Sequence, residues 1–367
     1  MPAISIMVKP VSGACNLRCT YCFYADVAEH REQHSMGSMS EKTLETLVRK
    51  AFAYADDEIH LIFQGGEPTL AGKGFYKKLI ALEKRYNTRG LRVNNAIQTN
   101  GWMLDDEWAD LFLEGHFLVG VSLDGTETLH DQCRMDKNGE KTYARILKNI
   151  ELMDRKGVEY NVLCVVNKAV SEHPTEVFHA LQKYRYLQFI PCLDGFDGKK
   201  NEWSLDGKSY GRFLIDTFDL YESAWHKGKP VSIRNIDNWI GMLLGEPPEN
   251  CGLSGRCGCY FLIEADGSVY PCDFYVLDSW RMGNINETSF LRLANAPVSV
   301  AFRKESWVLP DRCTDCKWLF LCRGGCKRDR EPIRNGTPSE NRLCEGHKMF
   351  FDARGERLIA LAQEFKQ

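Results

Sequence analysis

The sequence predicts an α/β protein in which six strand–helix units precede a cysteine-rich segment of different texture. Two observations carry that expectation. The first half of the 367-residue chain alternates short apolar runs with amphipathic stretches, and nine of its fifteen cysteines fall between positions 251 and 344. A third observation sets the class. With 47 Lys plus Arg against 50 Asp plus Glu, the formal charge is −3, and 44% of residues are hydrophobic. That is the balance of a globular chain able to bury a sizeable core.

The apolar runs are Ile4 to Val8, His60 to Phe63, Val93 to Gln98, Leu118 to Leu123, Tyr160 to Val166 and Leu187 to Ile190. Runs such as Val162-Leu163-Cys164-Val165-Val166 are continuously apolar, the pattern of strands covered on both faces of a parallel sheet. Between them, Ser40 caps a helix whose Leu44, Leu47, Val48, Ala51 and Ala55 share one face. Similar stretches lie near 72–87, 104–114, 142–157 and 173–184, with Gly115 and Gly157 where helices should stop. Six such units in series imply a β/α barrel or an open doubly wound sheet, and periodicity leaves both open. Positions 194–206 form a polar connection, and helices are expected over 209–228, 234–245 and about 346–365. From Cys251 onward regular periodicity is scarce, so metal ligation is expected to fold the segment.

Near-neutral charge argues against a nucleic-acid surface as the main business of the chain. No window approaches ~18 consecutive apolar residues, so no membrane span is expected. The stretch from Met1 to Lys9 has no basic leader with an apolar core, and a cytoplasmic location is expected. In a reducing compartment so many thiols point to metal or redox chemistry, not disulfides.

The first chemical constellation is Cys15-x3-Cys19-x2-Cys22, directly after the first strand. Three close thiolates can wrap one face of a [4Fe–4S] cube, leaving one iron open to a small molecule. A zinc site lacking its fourth ligand is the plainer alternative. The spacing, with Tyr21 before the last Cys and Phe23-Tyr24 after it, resembles the radical S-adenosylmethionine (SAM) enzymes. After the second strand comes Gln64-Gly65-Gly66-Glu67-Pro68, where glycines let backbone approach a ligand closely. The resemblance implies a partial (β/α)6 barrel in which Gly65, Gly66 and Glu67 hold the SAM amino group. It also places Tyr21 and Ser122 in the cofactor pocket, with Arg134 pairing the SAM carboxylate. The strand ends Gln98-Thr99-Asn100-Gly101 and Ser122-Leu123-Asp124-Gly125 look like further pocket elements, or simply turns.

The second constellation is C-terminal: Cys251-x5-Cys257-x-Cys259-x12-Cys272, then Cys313-x2-Cys316-x5-Cys322-x3-Cys326 and Cys344. It is similar to the SPASM-type extension, which binds two auxiliary [4Fe–4S] clusters. That likeness implies one cluster on Cys251, Cys257, Cys272 and Cys326, and another on Cys313, Cys316, Cys322 and Cys344. Cys259 is then surplus, and a swap between it and Cys257 is the weakest point. Cys164, in an apolar strand, reads as a core residue. The expected boundaries are a barrel over 1–193, a helical connection over 194–250, the cluster domain over 251–346 and a terminal helix over 347–367.

Across nearly the whole chain the resemblance is to the anaerobic sulfatase-maturating enzymes, through Lys9-Pro10 to Tyr24, Phe63 to Gly72, Gly267 to Asp278 and Cys322-Arg323-Gly324-Gly325-Cys326. It implies oxidation of a Cys or Ser side chain in an unfolded or nascent sulfatase to Cα-formylglycine. The N-terminal cluster would reduce SAM to a 5′-deoxyadenosyl radical, which takes a hydrogen from the substrate Cβ. Asp273 would take the thiol or hydroxyl proton, Tyr24 and Gln64 would position substrate, and the auxiliary clusters would accept the remaining electron. Implied partners are a Cys/Ser-x-Pro-x-Arg segment and an electron donor such as ferredoxin or flavodoxin, with no nucleic acid and no membrane. The competing reading is a SPASM-type maturase that crosslinks a small precursor peptide. With only 14 residues before Cys15, no leader-binding module is expected within this sequence, which disfavours that reading unless a separate partner protein binds the leader.

Overall fold

The computed structural model describes residues 3–366. The first two positions of the expected 1–193 segment and the last of 347–367 lie outside the described residues. The chain forms two compact units, each assembled from separated stretches.

The first unit comprises residues up to 122, 131–160 and 259–302. Its parallel strands are β1 (Ile4–Val8), β2 (Glu58–Phe63), β3 (Arg92–Thr99) and β4 (Phe117–Ser122), paired in sequence order. Helices return the chain between them as expected. Ser40 caps helix Glu41–Tyr54 by accepting from the Thr43 N–H, and Asp105 caps Asp106–Glu114. Gly157 ends Tyr143–Lys156 at φ +72°, a left-handed turn that a β-carbon disfavours.

Strands β1 and β2 are not covered equally on both faces: Ile4, Ile6, Val8, Ile59, Leu61 and Phe63 are buried, but Ser5, Glu58 and His60 on the other face are half-buried. The cysteine-rich segment also has more apolar structure than its texture suggested. β8 (Phe261–Ile263) adds in parallel to β1, and β9 (Ser268–Tyr270) and β10 (Gly283–Asn284) follow antiparallel. These strands of two or three residues are too short to register as periodicity. They complete a core begun elsewhere, with Phe261 and Phe290 packing edge-on at 4.8 Å and Tyr54 against both. A buried ion pair, Arg31 to Glu264 at 2.7 Å, joins the loop before Ser40 to the same hairpin.

The second unit comprises 123–130, 161–258 and 303–366. β5 (Tyr160–Val166), β6 (Tyr186–Pro191) and β7 (Ser232–Ile233) pair in parallel, and Cys164 is buried opposite Phe189 as a core residue. Helix Gly207–His226 lies against Cys344–Glu364 at backbone contact. A β-carbon built on Gly346 would sit 2.3 Å from the Gly207 carbonyl oxygen. Asp219 and Arg354 lock the same pair bidentately at 2.7 Å. Among the described residues no helix is long and apolar enough to cross a membrane.

Candidate active site

The cysteine triplet occupies the loop between β1 and helix Phe23–Glu29. Its sulfurs are surrounded by donors. The Leu17 N–H lies 3.4 Å from Cys15 Sγ, Asn100 Nδ2 lies 3.8 Å from it, and Arg134 Nη1 lies 3.9 Å from Cys19 Sγ. Burial pushes the Cys15 thiol up to about 11, with the Leu17 and Asn100 donors pulling the other way. Coordination reverses such a shift, because a metal-bound thiol is deprotonated outright. Asn16 Nδ2 is buried without a hydrogen-bond partner in the same loop. A soft three-sulfur set ringed by N–H donors fits one face of an iron–sulfur cube. Among the described residues, no three His, Cys, Asp or Glu side chains converge as a single metal ion requires.

The Gly65-Gly66-Glu67 loop rests on this cysteine loop. The Glu67 N–H donates to the Ala14 carbonyl at 2.8 Å, and a β-carbon on Gly66 (φ +54°) would lie 2.2 Å from that oxygen. Glu67 itself is fully enclosed. Its Oε1 accepts from the Thr69 N–H, Thr69 Oγ1 and Thr99 Oγ1, and its Oε2 accepts from the Asn100 N–H. Its carboxylate therefore organises the loop, and whatever it does for a ligand passes through the backbone it holds. Thr99 and Asn100, at the end of β3, serve this loop beyond making a turn. Tyr21 is buried beneath the Arg134 guanidinium, 5.4 Å from ring to cation, and Ser122 ends β4 half-buried. Asp124 lies in the second unit and accepts from the Val165 N–H at 2.9 Å.

Tyr24, Gln64 and Asp273, far apart in sequence, meet in the first unit. Tyr24 Oη donates to Asp273 Oδ2 at 2.7 Å. Gln64 Nε2 donates to Tyr24 Oη and reaches Asp273 Oδ2 at 3.3 Å. Burial, then the Asp273 charge, drives the Tyr24 phenol well above its ordinary value, so it stays a donor. Lys9 was not singled out from sequence, yet its buried Nζ stands 3.1 Å from Asp273 Oδ1 and 4.4 Å over the Tyr24 ring. That Oδ1 is buried and has no aligned hydrogen bond. The contact to Lys9 is therefore an ion pair of charges, not a directed bond. Lys9 follows β1 by one residue as Gln64 follows β2, and only the paired register brings the two together. Phe23 packs edge-on against Phe274 at 5.0 Å, which steadies the helix start beside the Asp273 turn.

In the second unit seven of the C-terminal thiols gather in two groups. Cys313, Cys316, Cys322 and Cys344 line one recess with Gly324 and His347. Burial lifts Cys322 to about 11 and Cys344 to about 12. Cys326 is enclosed, with the charges of Cys251 and Cys257 acting on it. Cys259 and Cys272 belong to the first unit, and Cys259 is exposed.

A model of the radical SAM superfamily matches residues 10–180, and a model of an iron-sulfur cluster-binding domain matches 255–317. A cysteine-type anaerobic sulfatase-maturating enzyme of Clostridium novyi (strain NT) is 45% identical over 368 residues, 99% of this chain and 98% of that one. The chain belongs to the anaerobic sulfatase-maturating enzymes. The fold agrees. A structure described as native anSMEcpe with bound AdoMet and Cp18Cys peptide matches this maturase with a TM-score of 0.94 and 39% identity, covering 99% of this chain and 100% of that one. A serine-type relative from Klebsiella aerogenes is 32% identical over 94% of this chain and 84% of its own length. The maturase is thus a radical SAM and iron–sulfur enzyme with a SPASM-type extension.

Proposed function

We propose that this maturase oxidises a cysteine side chain in a sulfatase polypeptide to Cα-formylglycine. The similarity to cysteine-type relatives supports a Cys-x-Pro-x-Arg substrate over the serine kind. The observation that carries the reading is the buried Asp273 carboxylate, held by Tyr24 and Gln64 and charge-paired with Lys9 in the same unit as the cysteine triplet.

When bound, SAM and three [4Fe–4S] clusters supply the hydrogen-atom acceptor and the electron acceptor. The chain's own residues handle the rest. Cys15, Cys19 and Cys22 hold the first cluster. Gly65 and Gly66 present backbone to the SAM amino group, Glu67 shapes their loop, and Arg134 faces the SAM carboxylate beside Tyr21 and Ser122. Asp273 Oδ1 takes the substrate thiol proton, because Oδ2 already accepts from Tyr24. Tyr24 and Gln64 hold the carboxylate in place. The substrate loses one hydrogen atom from Cβ, one proton from sulfur and one electron to give a thioaldehyde, which water hydrolyses to the aldehyde with release of hydrogen sulfide. Cys251, Cys257, Cys272 and Cys326 are assigned to one auxiliary cluster, and Cys313, Cys316, Cys322 and Cys344 to the other. Within this reading 1–193 is the barrel, 194–250 the connection, 251–346 the cluster domain and 347–367 its closing helix. A small iron–sulfur or flavin protein of the ferredoxin or flavodoxin kind supplies electrons.

The test is anaerobic reconstitution with iron, sulfide, reductant and SAM, plus a peptide carrying Cys-x-Pro-x-Arg, read by mass spectrometry. An aldehyde at the cysteine is expected. Deoxyadenosine with an unchanged or crosslinked peptide would redirect the reading to another substrate.

A further inference from the structure

Arg330 is buried to 1% exposure and, among the described residues, makes no ion pair with a carboxylate. Its Nη1 donates to the Val308 carbonyl and its Nη2 to the Ser306 carbonyl, both at 2.8 Å, and Nη2 also reaches the Gly255 carbonyl at 3.4 Å. Its Nε is buried with no hydrogen bond. The nearby carboxylates are engaged elsewhere. Asp329 pairs with Arg342 at 2.7 Å, and Glu305 and Glu331 lie 2.8 Å and 3.7 Å from Lys327. A guanidinium buried among neutral carbonyls is costly to desolvate, and buried charges are ordinarily paired. Its counter-charge must come from something else.

The surroundings supply a candidate on each side. Ser306, whose carbonyl Arg330 holds, accepts the Cys257 N–H through its hydroxyl at 2.8 Å, and Gly255 is two residues before that cysteine. In the other direction, a β-carbon on Gly324 would lie 3.9 Å from Arg330 Nη1, and Gly324 lines the recess of Cys313, Cys316, Cys322 and Cys344. Arg330 thus holds the carbonyl of the residue that binds the Cys257 N–H and stands beside a glycine lining the other cysteine recess.

We propose that Arg330 is the shared buried counter-charge of the two auxiliary clusters and raises their reduction potentials, fitting them to accept the substrate's electron. The inference rests on the ligand reading above. An electron added to a thiolate-bound cube makes it more negative, so a nearby fixed cation favours the reduced form. Arg330 acts through the clusters and is a positioning residue for charge.

Wild type, Arg330→Gln and Arg330→Lys are reconstituted as full-length holoproteins, assayed for iron, and titrated potentiometrically by electron paramagnetic resonance. Gln keeps donors for the carbonyls but lacks the charge, whereas Lys keeps the charge. The expected result is a shift of about tenfold in the one-electron equilibrium of at least one auxiliary cluster in Arg330→Gln, about 59 mV lower, with Arg330→Lys nearer wild type. Loss of auxiliary iron in Gln but not in Lys supports the same conclusion. Unchanged potentials in Gln overturn it, as does an equal fall or equal iron loss in both variants, which would make Arg330 a scaffold for carbonyls. Failure of the ligand reading shows separately, as wild-type iron well below about twelve per chain with no auxiliary signals.

Discussion

Tyr24 donates a 2.7 Å hydrogen bond to Oδ2 of Asp273, across 249 positions of sequence. The bond commits one carboxylate oxygen to Tyr24, while the other, Oδ1, is buried facing Lys9 without an aligned hydrogen bond, and it is the oxygen to which the proposed proton transfer assigns the substrate. This division of labour within one carboxylate underlies the first two predictions.

Replacing Asp273 with Asn removes the proton acceptor while preserving shape. SAM cleavage to deoxyadenosine should persist, and aldehyde yield should fall by about 10²- to 10⁴-fold. Mass spectrometry of peptide and nucleoside products from one reaction measures both. Full aldehyde yield would remove Asp273 from the base role.

Tyr24→Phe deletes the donor to Oδ2 but leaves the carboxylate and Lys9. A hydrogen bond to a charged group is worth about 1.5–3 kcal/mol, so aldehyde formation should slow about tenfold or more while iron content stays unchanged. A rate equal to wild type would show that Gln64 suffices to orient Asp273.

Gly66→Ala places a β-carbon where the Ala14 carbonyl oxygen stands 2.2 Å away, at a φ of +54° that side chains rarely adopt. Backbone cannot yield cheaply there. The variant should assemble its clusters but lose the spectral change on SAM addition, and normal SAM binding would contradict the role given to this loop.

The two candidate ligands Cys257 and Cys259 are separable by iron analysis. Cys257→Ala should lose about four of about twelve irons, and Cys259→Ala none. The structure motivates the choice through Cys257, which interacts with Cys251 and Cys326 within the second unit. The reverse pattern would swap the assignment.

Burial holds Glu83 up to about 7, against an ordinary 4.5, although Asn95 donates to its Oε2 at 3.2 Å. The folded state binds this proton more tightly than the unfolded one. The contribution is therefore fully present below about 4.5 and lost as pH rises through about 7. Glu83→Gln should be more stable than wild type at pH 8, by up to about 3 kcal/mol, and little different at pH 4. Denaturant unfolding at both values checks the sign, and equal differences at the two pH values would refute it.

The cysteine triplet and the Gly-Gly-Glu loop stand out in the sequence because each is a short motif of fixed spacing, whereas the division of the C-terminal cysteines into two sets came from the family resemblance. Strand–helix alternation was legible for a related reason: an apolar run of five or six residues and a capped helix such as the one after Ser40 declare themselves within a short window. Two- and three-residue strands do not, so β8 to β10 went unseen until their pairing beside β1 was known. Tertiary structure alone decided that Lys9 stands against Asp273, that Glu67 is enclosed by Thr69, Thr99 and Asn100, and that Arg330 is buried with no ion pair to a carboxylate among the described residues. Apart from the local Thr69 bonds to Glu67, these depend on residues distant in the chain. Periodicity carries no record of such contacts, because it reports which face a residue occupies and not which side chain it meets there.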